Sequence, residues 1–216
     1  MIRLASSSPR RVELLAIIGW QVFTQPVEVD ESIRFKEEPE VFARRLALEK
    51  AQSATNADDD ASMVLAADTI VVLDDQILGK PEDAEDAKRM LLDLRGRPHQ
   101  VITAIAVIEN GGDRVVIDHC ETMVPMRSYS KDEVEMYVDS GDPMDKAGAY
   151  AIQNNMFNPV ALQRLDGCYA NVMGLPLCHV ARSIHGLTHD EKERVAAMCQ
   201  AYTVYDCRVY PGILEL

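Results

Sequence analysis

The segment Ser6-Ser7-Ser8-Pro9-Arg10-Arg11 lies between a short apolar start, Ile2 to Ala5, and the helical run Val12 to Ile18. A helix opened by serine and proline presents unpaired backbone N–H groups in its first turn, and these groups with the helix dipole favour an anion. The guanidinium groups of Arg10 and Arg11 add planar forks suited to bidentate phosphate contact. By residue type alone, a capped surface helix with two solvated arginines accounts for the segment at least as well.

Asp68 follows the apolar run Val64-Leu65-Ala66-Ala67 and is expected at the end of a buried strand. A carboxylate there either takes a proton from water or holds a divalent metal, unless it is a turn residue capping through Thr69. Lys80 sits in Gly79-Lys80-Pro81, where proline pushes its backbone toward extended geometry. Such a lysine is either a point charge held over a cleft or an exposed loop tip. Lys50 shares a helical face with Leu46 and Ala47, and either reaches a ligand or snorkels to solvent. Glu31 lies in the aperiodic stretch Val29-Asp30-Glu31-Ser32, as a site acid or a solvated one. Asp145-Lys146 is suited to a local ion pair. Gln153 carries both a donor and an acceptor and can read the edge of a base.

The bulk numbers narrow the class. A chain of 216 residues, 47% hydrophobic and 26% charged, is an ordinary soluble globular protein able to bury a core without covalent staples. No apolar run approaches bilayer-spanning length and the start lacks a signal-peptide pattern, so the expected location is the cytoplasm, away from the membrane. Cys120, Cys168, Cys178, Cys199 and Cys207 are odd in number and lack Cys-x-x-Cys spacing, which reads as reduced core thiols. The histidines show no metal-ligand spacing to cysteines or acids. A net charge of −13 argues against a nucleic-acid polymer as partner, but a single nucleotide requires only a local basic pocket. The acids concentrate in Glu37 to Glu40, Asp58 to Asp60, Glu82 to Asp86 and Lys131 to Glu135, all read as solvated faces.

The elements that must position these residues alternate between strand-like and helix-like patterns, which gives a mixed α/β fold. Strands are expected at Ile2 to Ala5, Gln21 to Pro26, Met63 to Leu73 with a break at Asp68, Gln100 to Glu109, Arg114 to Met123 and Val160 to Leu165. Asp74-Asp75 reads as a turn, and Asn110-Gly111-Gly112 is the strongest hairpin signal. Helices are expected at Pro9 to Ile18, Pro39 to Ser53 (with Val41, Ala43, Leu46, Ala47 and Lys50 on one face), Ala84 to Leu94, Lys131 to Asp139 and Gly174 to His185. The small residues of Ala147 to Ala151 point to close backbone approach. Beyond Gly186, Thr188 with Asp190-Glu191 opens a further helix, and Tyr202 to Tyr210 reads as extended.

Four blocks together resemble the signature of the Maf family of nucleoside triphosphate pyrophosphatases: Ser8-Pro9-Arg10-Arg11; Ala66-Ala67-Asp68-Thr69 with Gly79-Lys80-Pro81; Ser140 to Gln153; and Asn171-Val172-Met173-Gly174. They occur in the family's order, over roughly Ile2 to Ile184. The resemblance implies a long twisted mixed sheet flanked by helices, in two lobes with a central cleft. It implies a pyrophosphatase domain over 1–186, leaving 187–216 as a C-terminal extension of unknown role. Asp68 matches the family's proton acceptor. Ser6, Arg10, Arg11, Lys50, Thr69, Lys80 and Gln153 match substrate-binding positions, and Glu31 with Asp68 would hold Mg2+ or Mn2+. The block ending at Gln153 looks like the branch acting on dTTP and UTP. The competing readings are the branch acting on modified purines such as 7-methyl-GTP, and a non-enzymatic regulator of septum formation. Family analogy adds a homodimer. Two departures stand out: Asn154-Asn155-Met156-Phe157-Asn158-Pro159 replaces the glycines that usually follow the glutamine, and the tail is long.

Overall fold

The structure is a computed structural model that describes residues 1–55, 63–109 and 112–215. The hairpin signal expected at Asn110-Gly111 and the acidic run Asp58 to Asp60 lie outside the described residues. The chain runs β1 (Ile2–Leu4), α1 (Pro9–Ile17), β2 (Val22–Thr24), α2 (Pro39–Ser53), β3 (Met63–Leu73), β4 (Gln76–Leu78), α3 (Ala84–Leu94), β5 (Pro98–Glu109) and β6 (Arg114–Pro125). It continues through α4 (Lys131–Asp139), 3-10 turns at Asp142–Asp145, Ala147–Ala149 and Leu162–Arg164, then α5 (Tyr169–Met173), α6 (Leu177–Ser183), α7 (His189–Thr203) and α8 (Tyr210–Leu214). Among the described residues no helix is long and apolar enough to cross a membrane. All five cysteines are free thiols, four of them buried.

One mixed sheet, ordered β2-β1-β3-β5-β6 with β4 also on β3, organises the molecule. β3 is buried on both faces, and its alternation divides the core. Leu65, Ala67, Val71 and Leu73 face the larger cluster with α1, α3 and α6, while Val64, Ala66, Ile70 and Val72 face the smaller cluster under α2. On one side β3 pairs with β5 from Met63 to Val72. On the other side it pairs in parallel with β1 only at Met63, Val64 and Leu65, and with β4 only at Val71, Val72 and Leu73. Among the described residues, 66–70 therefore have no strand neighbour on that edge. The cleft opens beside this stretch of β3, and Asp68, Thr69 and Ile70 line it.

Local chemistry accounts for the element ends. Ser130 with Glu133 and Thr188 with Glu191 form capping boxes on α4 and α7. Asp74 and Asp75, with φ of 50° and 62°, make the two-residue turn between β3 and β4. Five expectations change. Asp68 is in the middle of β3, not at a strand end, because β5 pairs it across to Ala104. Val160 to Leu165 makes only a single bridge, Val160 to Met126, before turning into a 3-10 segment. Gly174 ends α5 with φ 110°, so the final apolar helix starts only after Pro176. The extended reading of Tyr202 to Tyr210 fails at both ends, since α7 runs to Thr203 and α8 opens at Tyr210 with proline next. On α2 the buried stripe is Phe42, Ala43, Leu46, Ala47 and Ala51, while Val41 is exposed.

Candidate active site

Ser6, Arg10, Arg11, Glu31, Lys50, Asp68, Thr69, Lys80 and Gln153 all line one cleft of about 540 Å³. The gap in β3 makes this assembly possible. Asp68 and Thr69 point to opposite faces of the sheet, yet both reach the cleft where the strand has no neighbour.

On the α2 face, Lys50 Nζ lies 2.6 Å from Asp68 Oδ1 and 2.7 Å from Glu31 Oε1. One ammonium is thus shared by two carboxylates, leaving a negative charge over. Asp68 is buried, and its Oδ2 takes no hydrogen bond from the described residues. Burial pushes the Glu31 carboxyl up, but the Lys50 hydrogen bond and the charges of Lys50, Lys80 and Arg11 outweigh it, and its pKa falls below the usual carboxylate value.

The opposite face carries the cationic wall. Arg11 donates from Nε to the Gly174 carbonyl at 2.9 Å, and from its two terminal nitrogens to Ser6 Oγ at 3.1 Å and Thr69 Oγ1 at 3.0 Å. All three acceptors are neutral, and no carboxylate among the described residues lies within ion-pair distance. Burial lowers the Arg11 pKa, offset in part by the charge of Asp68. Thr69 Oγ1 is itself 3.0 Å from Thr103 Oγ1, which donates to the Asn171 carbonyl at 2.9 Å. Gly174 must be glycine here: its φ is 110°, and a Cβ would sit 3.3 Å from Thr69 Oγ1. Arg10 is looser, with one nitrogen 3.8 Å from Asp145 Oδ2. Ser8 makes no side-chain cap at the start of α1, so that helix end is left to a ligand or solvent.

The third wall comes from loops. The Gly79 carbonyl accepts from the Gly148 N–H at 3.0 Å, tying the Gly-Lys-Pro turn to the 3-10 turn at Ala147–Ala149. Gly148 has φ 68°, and a Cβ there would meet Val71 at 3.0 Å, which is the close approach expected from the small residues. The expected Asp145–Lys146 pair forms at 2.6 Å. Gln153 makes no side-chain hydrogen bond with the described residues, and its Oε1 is buried without a partner.

Two supports had no signal in the sequence. Glu37, expected to be solvated, is a buried-side-chain partner of Arg45, which clamps it with bonds of 2.6 and 2.9 Å. Arg45 also donates to the carbonyls of Ser32 at 3.0 Å and Asp30 at 3.5 Å, bracketing Glu31. Away from the cleft, Glu40, His119 and Glu121 bring ligand-type atoms within 4.8 Å, against the expectation from spacing. Arg44 already lies against Glu40 at 3.1 Å and His119 at 3.5 Å.

Comparison with known proteins is consistent across most of the chain. The pattern of the Maf-like protein family matches residues 1–187. A dTTP/UTP pyrophosphatase of Geotalea uraniireducens (strain Rf4) is 43% identical over 183 residues, covering 85% of this chain and 93% of that protein. A protein of the same name from Shewanella denitrificans is 45% identical over 181 residues, covering 81% and 89%. Among solved structures, the Staphylococcus aureus Ham1 protein aligns with a TM-score of 0.46 at 11% identity, over 94% of this chain and 97% of that one.

Proposed function

The chain belongs to the Maf-like family, and from that premise we propose that it hydrolyses dTTP and UTP to the nucleoside monophosphate and pyrophosphate, as a house-cleaning enzyme. The observation that carries the reading is Arg11, a desolvated guanidinium bonded only to neutral oxygens, beside a carboxylate-lysine-carboxylate group. A charge taken out of water without a counter-ion is costly, and a bound triphosphate supplies the missing anion.

In this reading Arg10, Arg11 and Lys80 bind the triphosphate, with Ser6 and the open start of α1 beside them. Water attacks the α-phosphorus and gives its proton to Asp68 Oδ2. The bond from the α-phosphorus to its bridging oxygen breaks, and the cationic wall stabilises the charge on the departing pyrophosphate. Lys50 holds Asp68 and Glu31 in place. Those two carboxylates offer oxygen ligands of the kind that magnesium or manganese combines with substrate phosphates, so the donor set fits a divalent ion. Such an ion would supply Lewis-acid charge at the phosphate. The unpartnered Gln153 carbonyl suits the ring N–H of uracil or thymine, while its NH2 suits a ring carbonyl. Both relatives named above carry the same activity in their names.

The test is pyrophosphate release from dTTP, UTP, CTP, GTP, ITP and 7-methyl-GTP with magnesium or manganese. The expected result is the highest kcat/KM for dTTP and UTP, loss of turnover on chelation with EDTA, and recovery when metal is restored. A methylated guanine nucleotide at the top would move the chain to the other branch, and binding without release would make it a regulator.

A further inference from the structure

We propose that Asn154, acting with Asp142, is a positioning residue for base selection, tying the loop that carries Gln153 to the wall that carries Arg10. The inference rests on the pyrimidine reading above. It begins from Gln153, whose side chain no hydrogen bond from the described residues orients, so that the placement of its backbone bears directly on where its amide reaches.

Asn154 fixes that backbone. Its Oδ1 accepts from the N–H groups of Met156 at 3.0 Å and Phe157 at 2.7 Å, closing the turn that follows Gln153. Its Nδ2 donates to Asp142 Oδ2 at 3.1 Å, the oxygen that also receives the Tyr137 hydroxyl at 2.7 Å. The Tyr137 ring stacks on Phe157 with centroids 4.4 Å apart, so the turn is held by a ring and a hydrogen bond at once.

Asp142 carries the connection onward. Lys146 Nζ donates to the Asp142 backbone carbonyl, to Asp142 Oδ1 at 3.1 Å and to Asp145 Oδ1 at 2.6 Å. Asp145 Oδ2 in turn faces Arg10 at 3.8 Å. The Lys146 side chain is buried and paired with these two carboxylates. A continuous polar chain thus runs from the residue beside the base reader to the arginine assigned to phosphate. A glycine at 154 would remove the side chain that makes all three bonds and release the backbone behind Gln153. The asparagine loop, a departure at the level of sequence, is a brace in the structure.

The experiment compares kcat and KM for dTTP, UTP, GTP and ITP in the parent, Asn154→Gly, Asn154→Asp, and Asn154→Asp combined with Asp142→Asn. For Asn154→Gly the expected result is a nearly unchanged kcat on dTTP, a raised KM, and a fall of about tenfold in the pyrimidine-to-purine kcat/KM ratio, the worth of one well-made hydrogen bond. Asn154→Asp sets two carboxylates against each other and lowers the ratio in the same way. Adding Asp142→Asn exchanges the donor and acceptor of that pair, while the side-chain oxygen at 142 and the Asp145 carboxylate still accept from Lys146, and it recovers at least part of the ratio, which general loss of stability would not do. Should Asn154→Gly fail to fold, the aspartate variant and the exchanged pair carry the same comparison. A parental ratio in the variants overturns the role, as does an equal loss of kcat/KM on every nucleotide or no recovery in the exchanged pair. A parent without pyrimidine preference overturns the functional reading and this inference with it.

Discussion

At the scale of single residues, the chemistry turns on what Lys50 leaves unoccupied. It holds Asp68 Oδ1 at 2.6 Å and Glu31 at 2.7 Å, while Oδ2 of Asp68 remains open to water in the cleft. Asp68→Asn keeps the shape and loses both charge and basicity, and Lys50 retains Glu31 as a partner. The expected outcome is a folded protein whose kcat falls at least about a hundredfold, the usual contribution of a positioned base. Circular dichroism checks the fold and pyrophosphate release checks the rate; turnover near the parent's would remove Asp68 from the role. The types of these residues were legible in the sequence, because an acid inside an apolar run and two arginines at a helix start are conspicuous. Their partnerships were not. Arg11 meets Thr69 across 58 positions and Gly174 across 163, and no local pattern encodes such separations.

At the scale of elements, the unforeseen feature is the one-sided gap in β3. The polar pair Asp68-Thr69 interrupts an apolar run and therefore reads as a strand end, yet β5 pairs straight through it. The interruption marks a missing neighbour between β1 and β4, which is a property of pairing and not of β3 alone. For the same reason Val160 to Leu165 looked like a strand: its residues suit one, but only Val160 finds a partner. The loop carrying Glu31 depends similarly on α2, through Arg45 and Glu37. Arg45→Met is expected to leave α2 intact and lower turnover about tenfold by releasing Glu31, a loss equal to one charge-assisted contact. The pairing also carries a pH signature. The hydrogen bond from Arg45, against the opposing pull of burial, holds Glu37 down from 4.5 to about 2. The unfolded chain takes up this proton first, so the stabilisation is complete above about pH 4.5 and disappears as pH falls toward 2. Thermal midpoints of parent and Arg45→Met should differ most at neutral pH and converge across that window. A gap independent of pH would contradict the assignment.

At the scale of the whole molecule, the match to the family ends at residue 187 while the packing does not. Val195 and Cys199 of α7 join the main core, and Leu214 of α8 packs with Cys178 and Ala196. Arg182 donates to the Ile213 carbonyl at 3.3 Å, and the Tyr205 hydroxyl donates to the Leu165 carbonyl at 2.9 Å, just ahead of α5. α7 contacts α1, which carries Arg10 and Arg11, and α5, which ends at the carbonyl that holds Arg11. The tail therefore buttresses the cationic wall from behind. Ending the chain at residue 187 uncovers the partners of Val195 and Leu214, each worth about 2 kcal/mol by burial. For a protein of this size that total of about 4 kcal/mol corresponds to a fall of roughly 10 °C in Tm. Because the loss is felt where α1 and α5 meet, KM for the triphosphate should rise more than kcat falls. Scanning calorimetry and steady-state kinetics on the shortened chain test this, with Val195→Ala plus Leu214→Ala as the milder variant if the shortened chain does not fold. An unchanged Tm and KM would make the tail an appendage, and the cleft would then owe its rigidity to the sheet and α5 alone.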